Sequence, residues 1–348
     1  MQERLWNKRT FKYLNKMIKD AGSKGSPSYI VSDWDNTAAS FDVEENTLLY
    51  QILNLRYEFT PQEIREVLTC EIDSVPEEIN ELVDKIEEDY KILYPYRKDL
   101  NKLKKIPEYE SFVAAMAYYF QSYVNSLEYG LSSRKFTHVF YKMTEEEVRD
   151  LAGDALSYFK DYKDYKMNFK VNMPNGKSLS SSYDVGLREI KEMSDLFKEL
   201  FENKIDVYIC SASFKILVEE FASSKLFNYR LPKDSVMGLE LIKDKEGRFT
   251  MEVKENSKTY LQGKADAIKR LEERYKCPPL LYMGDSRGDY YALTYPGLKY
   301  GLIIDRGPIG KLEDLKKLAF KENPQGTFYL IQERDNYKGE FKNGNWKN

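Results

Sequence analysis

From residue 184 onward, short apolar segments alternate with helical segments, and this alternation constrains the fold more than any other feature of the chain. The apolar segments include IDVYICS, PLLYMGDS and LKYGLIID, and helical patterns such as SFKILVEEFASS and GKADAIKRLEERY lie between them. Strands that are separated by helices usually pair in parallel, with helices covering both faces of the sheet. The sequence therefore predicts an α/β protein with a Rossmann-like parallel sheet.

A strand at about 28–33 precedes this region, and a long helical segment separates the two. From about 41 to 160 the apolar residues recur with helical periodicity almost throughout, and short β-like runs follow near 166–183. The core is thus interrupted after its first strand. We predict a core domain over 1–40 and 184–335, a mainly helical cap domain over 41–183 and a polar tail over 336–348.

Two local patterns add detail to this organisation. Thr144 is followed three residues later by Glu147, which predicts a capping box at the start of a helix. The segment SVMGLELIKDKEGRFTMEV predicts a hairpin that turns at Asp244–Gly247 within the core domain.

The charge balance argues against nucleic acid as the main partner. The chain has 54 basic and 57 acidic residues and a net charge of −3, so no basic excess attracts a phosphate backbone. The longest apolar run, FVAAMAYYF at 112–120, is too short to span a bilayer, and the charged N-terminus lacks the apolar centre of a signal peptide. As written, the sequence predicts a cytoplasmic protein without a membrane span. Export with a removed leader stays open, and the oligomeric state is not determined.

The cysteine and histidine content excludes other kinds of site. Cys70, Cys210 and Cys277 have no short spacing, which argues against a disulfide framework or a zinc site. His138 is the single histidine, which argues against histidine-based metal sites and Ser-His catalysis. We expect His138 to be a surface or packing residue.

Two aspartates follow the first strand directly. The segment SYIV has strand character, and Asp33 and Asp35 lie one residue apart at its end. Ionised carboxylates are costly to desolvate unless a positive charge pairs with them. Either this is a solvated strand end or a cation binds there. In an open α/β sheet, ligands bind beyond the carboxyl ends of the strands, where these aspartates fall.

Further polar residues follow later strands or begin later helices, in a fixed order along the chain. These are Asp33, Asp35 and Thr37 in DWDNT, Ser211 after DVYIC, Lys264 in GKADA, and Asp285 and Asp289 in GDSRGD. Together the motifs resemble the haloacid dehalogenase superfamily of phosphatases, whose first motif is D-x-D-x-T. The resemblance covers about 28–40 and 184–305, and it points to the phosphoserine phosphatase-like and phosphorylcholine phosphatase-like branch.

The resemblance implies a role for each of these residues. Asp33 would be the nucleophile, and Asp35 would protonate the leaving oxygen and later activate water. A phosphate dianion repels a carboxylate, so positive charge is needed at the phosphoryl oxygens. Mg²⁺ would supply it, bound by Asp33, Asp35 through its backbone carbonyl, and Asp285, with Asp289 supporting the site.

The remaining motif residues would bind the phosphate. Ser211 would donate a hydrogen bond to a phosphoryl oxygen, and Lys264 would hold both the phosphate and Asp33. More ordinary interpretations stay open, because Ser211 and Asp289 could each cap a helix and Lys264 could be a solvated lysine at a helix start.

The insertion lies where this branch carries a helical cap, which closes over small substrates. The resemblance implies that Asp42, nine positions after Asp33, or Glu45, twelve positions after it, meets a substrate amine or quaternary ammonium. Tyrosines in DYKILYPY could form an aromatic cage for such a cation, or could simply pack. Equally, both acids could cap the first helix of the insertion.

The sequence therefore predicts a Mg²⁺-dependent phosphomonoester hydrolase that forms an aspartyl-phosphate intermediate. We expect a small phosphorylated metabolite with an amine group as its substrate, phosphocholine-like first. A phosphoserine or sugar-phosphate phosphatase and a phosphotransferase stay open as alternatives. A non-catalytic binding protein is disfavoured because Asp33, Asp35, Lys264 and Asp285 are all present.

Overall fold

The computed structural model describes residues 1–23, 27–308, 310–319, 321 and 326–342. Its helices are α1 (Lys8–Gly22), α2 (Val43–Asn54), α3 (Ile64–Thr69), α4 (Glu77–Leu93), α5 (Leu100–Leu103), α6 (Glu108–Tyr118), α7 (Tyr129–Thr137), α8 (Glu145–Phe159), α9 (Lys191–Glu202), α10 (Lys215–Ser223), α11 (Gln262–Tyr275), α12 (Tyr290–Leu293) and α13 (Leu312–Leu318). Its strands are β1 (Ser28–Ser32), β2 (Ala39–Ser40), β3 (Lys166–Asn172), β4 (Ser178–Asp184), β5 (Arg188–Glu189), β6 (Ile205–Phe214), β7 (Val236–Leu239), β8 (Leu241–Lys243), β9 (Phe249–Val253), β10 (Leu281–Gly284), β11 (Tyr300–Asp305), β12 (Phe328–Asp335) and β13 (Glu340–Phe341).

The largest sheet has the strand order β13-β12-β11-β10-β1-β6-β7. Every neighbouring pair is parallel except β12 and β13. Strand β1 lies at the centre, where Ile30 is in register with Leu281 of β10 and with Val207 of β6. The predicted α/β fold with a parallel sheet is confirmed.

The central strands have mostly apolar residues along their middle, as expected for a parallel sheet that is covered on both faces by helices. In β1, Tyr29, Ile30 and Val31 are completely buried. Side chains of one sheet face pack with residues of α11 such as Ile268 and of α12 such as Leu293. The sheet thus has a packed apolar core next to the carboxyl ends of its strands.

The chain forms two compact units. The first, here called the sheet unit, contains Met1–Asp42, Leu187–Leu239 and Glu255–Asn348, and the second, here called the insertion unit, contains Val43–Gly186 and Glu240–Lys254. The insertion unit holds helices α2–α8, the hairpin β3–β4 and the hairpin β8–β9. It is therefore mainly helical, with two hairpins in addition.

One segment that we predicted in the core domain belongs to the insertion unit instead. The hairpin that turns at Asp244–Gly247 forms as β8–β9, whereas Val236–Leu239 does not join it and pairs in parallel with β6. Phe249 explains the difference, because it is buried and its backbone exchanges hydrogen bonds of 2.8 Å with Lys142 and Met143 of the insertion unit. The segment predicted a hairpin and its turn at Asp244–Gly247, but it could not predict which unit the hairpin would join.

The predicted polar tail, 336–348, also differs from the structure in its first part. Glu340–Phe341 pairs with β12 in antiparallel fashion. The ring of Phe341 is buried, and its centroid lies 5.1 Å from that of Trp6. One aromatic residue thus fixes a segment that is otherwise polar, while 343–348 lie outside the described residues.

Within the part of the chain that the structure describes, no helix combines the length and the apolar composition that crossing a membrane requires.

The predicted capping box is present at the start of α8. The Oγ1 atom of Thr144 accepts a hydrogen bond from the backbone N–H of Glu147 at 3.3 Å, and the carboxylate of Glu147 accepts one from the backbone N–H of Thr144 at 2.7 Å. These bonds satisfy backbone donors that the first helical turn leaves without a partner.

We therefore expect Thr144→Ala to lower the free energy of unfolding by about 1 kcal/mol, the usual cost of losing such a cap. Urea denaturation of both proteins would measure the change. Thr144→Ser keeps the hydroxyl and serves as the control, so it should unfold close to the wild type. Equal denaturation midpoints for Thr144→Ala and the wild type would show that the capping box does not stabilise the insertion unit.

Candidate active site

The candidate site lies at the carboxyl end of β1 in the sheet unit. The backbone N–H of Asp33 donates to the carbonyl of Met283 in β10 at 2.8 Å, which continues the sheet pairing one residue past the strand. Asp33 and Asp35 are 6% and 9% exposed. The solvated strand end that the sequence left open is therefore excluded, and their charges need partners.

The first partner is Lys264, in the first turn of α11. Its Nζ atom lies 2.7 Å from an oxygen of Asp33 and 2.7 Å from an oxygen of Asp289. Its side chain is only 1% exposed, so it is not a solvated lysine at a helix start. This buried ammonium group bridges the end of β1 to the loop after β10.

Asp289 is completely buried and accepts hydrogen bonds on both oxygens. Lys264 and the hydroxyl of Tyr282, at 2.7 Å, donate to Oδ1. The backbone N–H groups of Asp285 and Ser286 donate to Oδ2 at 3.1 and 3.0 Å. Asp289 therefore does act as a cap, as the ordinary interpretation supposed, and it also fixes Lys264 and the backbone of Asp285.

Gly284 makes this close approach possible. A Cβ atom at this position would lie 2.4 Å from the Cγ atom of Asp289, closer than two carbon atoms can pack. The first glycine of the GDSRGD motif is therefore required by the packing of Asp289 against the end of β10.

Asp285 is also buried and has two side-chain partners. The hydroxyl of Thr37 donates to its Oδ1 atom at 3.2 Å, and the guanidinium group of Arg306 donates to Oδ2 at 2.7 Å. Thr37 is the threonine of the DWDNT motif, so the first and the last motif along the chain contact each other at the carboxylate of Asp285. Arg306 follows β11, the next strand in the sheet.

Asp35 is held from the other side by two serines of β6. Ser213 and Ser211 donate to its Oδ2 atom at 2.7 and 3.1 Å. Since residues two apart in a strand point to the same face, both hydroxyls reach one carboxylate. The carbonyl of Ser211 accepts a hydrogen bond from Thr259 at 2.5 Å, which fixes this end of β6.

The loop after Asp35 depends on a buried arginine. Asn36 has a φ of +60°, a left-handed conformation that asparagine tolerates better than most residues. Arg334 of β12 donates to both the backbone carbonyl and the side-chain oxygen of Asn36, at 2.8 and 2.7 Å. Arg334 is 3% exposed, so a buried side chain of β12 holds the turn that separates Asp35 from Thr37.

Three carboxylates of this cluster can bind a cation. Oxygen atoms of Asp33, Asp285 and Asp289 lie within 4.8 Å of one another, and all three residues are buried. An all-oxygen donor set of this kind suits Mg²⁺. Burial raises the pKa of Asp33 well above its ordinary value, the charges of Asp289 and Asp285 raise it further, and Lys264 lowers it. The residues therefore fit a divalent cation, which would favour the ionised form of Asp33.

This arrangement of motif residues is matched by a family model. The model for haloacid dehalogenase-like hydrolases matches residues 114–294, just over half of the chain. The chain belongs to this family.

Other proteins are similar to this haloacid dehalogenase-like hydrolase. The phosphorylcholine phosphatase of Pseudomonas aeruginosa is 22% identical over 267 residues, which are 77% of this chain and 63% of that protein. The chain thus matches less than two thirds of the relative's length. The chain is also similar to the crystal structure of a conserved functionally unknown protein from Anaerococcus prevotii DSM 20548, with a TM-score of 0.88 and 28% sequence identity. The match covers 99% of this chain and 98% of that protein's chain.

The structure brings six predicted site residues together in the sheet unit, namely Asp33, Asp35, Ser211, Lys264, Asp285 and Asp289. Asp42 is a half-buried residue that ends the first segment of the sheet unit. Glu45 lies in the first turn of α2 in the insertion unit, where it accepts a hydrogen bond from Asn125 at 3.1 Å.

The tyrosines of DYKILYPY have protein partners within the insertion unit. Tyr90 is completely buried, stacks on Phe112 at 5.5 Å and donates its hydroxyl to a backbone carbonyl. Tyr94 lies under the guanidinium group of Arg97 at 3.8 Å. The packing interpretation therefore accounts for Tyr90, and the ring of Tyr94 already contacts a cation of the protein.

Sequence reasoning missed several residues that hold the motif residues in place. The SAS pattern could have revealed Ser213, because alternation places it beside Ser211. Arg306 could have been found from its position directly after a strand. Tyr282 and Arg334 had no such signal, since each looks like an ordinary strand residue until the register of the sheet is known.

We expect Asp285→Asn to weaken binding of Mn²⁺, used as a paramagnetic probe for Mg²⁺, by at least about tenfold, because losing one carboxylate of so few removes roughly 1.4 kcal/mol or more. Electron paramagnetic resonance of free Mn²⁺ measures this without any substrate. Asp305→Asn is the matched control, since Asp305 ends β11 but pairs with Lys316 at 2.6 Å instead of joining the cluster. Equal losses in both variants would contradict a metal site at Asp285.

Proposed function

We propose that the protein hydrolyses small phosphate monoesters, with Asp33 as the nucleophile. The contact between the buried Asp33 carboxylate and the Lys264 ammonium, 2.7 Å apart at the carboxyl end of β1, is the observation that carries the proposal. A carboxylate attacks a phosphate dianion only where positive charge is fixed at the reaction centre. A buried lysine provides such a charge, and Asp289 holds it in position.

In the first step an oxygen of Asp33 attacks phosphorus, and the bond between phosphorus and the leaving oxygen breaks. The product is an aspartyl-phosphate, and the leaving alcohol takes a proton. Asp35 is the proposed donor of that proton. Ser211 and Ser213 fix the orientation of its carboxyl group, which is what proton transfer at a defined position requires.

In the second step Asp35 takes a proton from water, and the water oxygen attacks phosphorus. The bond between phosphorus and Asp33 then breaks, which releases inorganic phosphate and restores the free carboxylate. The hydroxyl of Ser211 donates its single proton to Asp35 at 3.1 Å, and in the proposed complex it would turn to donate that proton to a phosphoryl oxygen instead.

Phosphatases of this family generally use Mg²⁺. In this chain Asp33, Asp285 and the backbone carbonyl of Asp35 would hold it, and Asp289 would support the site by fixing the backbone of Asp285. The ion would supply positive charge to the phosphoryl oxygens. Arg306 adds a further positive charge at Asp285 from the protein itself.

For the substrate, we propose a small phosphate ester with an amine or quaternary ammonium group, phosphocholine-like first. The similarity to a phosphorylcholine phosphatase supports this class, and so do the acidic residues Asp42 and Glu45 that follow the first motif. Phosphoserine, a sugar phosphate or transfer to another alcohol are the alternatives. Adding an alcohol acceptor during turnover separates transfer from hydrolysis.

Asp33→Asn should abolish hydrolysis of p-nitrophenyl phosphate, because an amide nitrogen does not form the phosphoenzyme. We expect a loss of at least about 10³-fold in kcat, equal to roughly 4 kcal/mol. Circular dichroism should show a folded protein, and Asp305→Asn should retain activity. Wild-type turnover by folded Asp33→Asn would exclude Asp33 as the nucleophile.

Glu45→Gln or Asp42→Asn should raise KM for phosphocholine and leave hydrolysis of a neutral aryl phosphate nearly unchanged. A desolvated contact between a carboxylate and a cation, with an aromatic face, contributes about 2–4 kcal/mol, or roughly 30- to 1000-fold in specificity.

Glu44→Gln is the matched control for helix capping, since Glu44 lies in the same first turn of α2. If all of these variants slow charged and neutral substrates equally, the acids act on the helix alone. The amine-binding proposal is then wrong, while the proposed phosphatase activity stands.

A further inference from the structure

The insertion unit contains a second cluster of titratable side chains, formed by Cys70, Lys135 and His138. The Nζ atom of Lys135 lies 3.5 Å from the Sγ atom of Cys70 and 3.1 Å from the Nδ1 atom of His138. The same Nδ1 atom lies 3.2 Å from the sulfur of Cys70. A thiol, an amine and an imidazole thus meet at one point, and the proposed phosphatase reaction uses none of them.

Lys135 is completely buried, which is rare for lysine without a carboxylate partner. Its ammonium group donates to the carbonyls of Val67 and Cys70 at 2.8 and 3.1 Å. Among the described residues no carboxylate forms an ion pair with it, and the nearby Glu71 pairs with Arg134 at 2.8 Å. The thiol of Cys70 is therefore the acidic group in direct contact with this buried charge.

The pair can lower its electrostatic cost by losing one proton, since a thiolate beside an ammonium and a thiol beside an amine are both neutral overall. Burial lowers the pKa of Lys135 to about 8. Burial raises the pKa of Cys70, and Lys135 opposes that shift. Burial, together with Lys135, lowers the pKa of His138 to about 3, so the imidazole stays neutral. One member of the pair is then a nucleophile in mildly alkaline solution.

Access and position favour covalent chemistry between these two atoms. Cys70 follows α3 and is only partly buried, so a molecule as small as hydrogen peroxide can approach it. Lys135 is on α7 and is held in place by its two carbonyl contacts. Its amine therefore stays beside the sulfur instead of moving into solvent.

We propose that Cys70 and Lys135 form an oxidisable pair, which hydrogen peroxide converts into a covalent sulfur–nitrogen link between α7 and the residue that follows α3. The sulfur first attacks one peroxide oxygen, the O–O bond breaks, and a sulfenic acid and water form. The amine of Lys135 then attacks this sulfur, the S–O bond breaks, and the departing hydroxide takes a proton from nitrogen to form water. Sulfur is oxidised by two electrons, peroxide is reduced, and the protein loses two hydrogen atoms.

The test treats the full chain with hydrogen peroxide in mildly alkaline buffer and maps its peptides by mass spectrometry. We expect a linked pair of peptides that contain Cys70 and Lys135, with the mass of two hydrogen atoms lost, and we expect dithiothreitol to restore the separate peptides. Cys277→Ser is the matched control, because Cys277 is another partly buried thiol, with its sulfur on the carbonyl of Pro27, and this variant should retain the link.

Cys70→Ser should lose the linked peptide completely. Lys135→Met keeps an unbranched side chain of similar length but has no amine, so Cys70 should gain oxygen atoms instead of forming a link. If that variant does not fold, the wild-type peptide map still decides the matter. Oxidation of wild-type Cys70 to sulfinic or sulfonic acid without a link, or no reaction at Cys70, would overturn the proposal.

Discussion

The sheet unit depends on one interaction, the burial of the Lys264 ammonium between Asp33 and Asp289. Each charge alone would cost several kcal/mol to remove from water, and their mutual attraction offsets this only where the geometry is well satisfied. Asp289 meets that condition because it accepts hydrogen bonds on both oxygens, including those from Tyr282 and the backbone of Asp285. The network therefore links β1, α11 and β10 at a single point, and loss of Lys264 would leave the buried Asp33 and Asp289 without the ammonium group that they share.

The position of this site could be predicted from the sequence because it lies where strands end. A parallel sheet brings the carboxyl ends of neighbouring strands to one edge, so motif residues far apart in the chain, such as Asp33 and Asp285, meet there. The residues that fix their orientation were harder to predict. Ser213 follows from the two-residue period of a strand, whereas Arg334 contacts Asn36 across almost the whole length of the sequence. Strands β11 and β10 lie between β12 and β1 in the sheet, so only the folded structure shows that Arg334 reaches the turn after β1.

The insertion unit shows the same division between local and distant information. Helical periodicity and the Thr144 capping box are local, and both patterns predicted elements that the structure contains. Glu240–Lys254 is different, since its alternating residues specify a hairpin but not its neighbours. Its membership of the insertion unit depends on the buried ring and the backbone hydrogen bonds of Phe249. The residue pattern within a segment determines the secondary structure of that segment. The elements against which the segment packs depend on the apolar surfaces that the rest of the chain leaves exposed.

Two buried lysines, Lys264 and Lys135, illustrate how the surroundings of a side chain determine its chemistry. Lys264 contacts two carboxylates at 2.7 Å, so its ammonium group serves as a fixed positive charge between them. Lys135 contacts carbonyls, a thiol and a neutral imidazole, so burial lowers its pKa to about 8 and the amine becomes available for reaction. The same side chain therefore serves electrostatic stabilisation in one place and nucleophilic chemistry in the other. What differs is whether the fold supplies a negative charge at the distance of a hydrogen bond. The motif resemblance predicted the contact of Lys264 with Asp33, whereas no pattern in the sequence predicted the surroundings of Lys135.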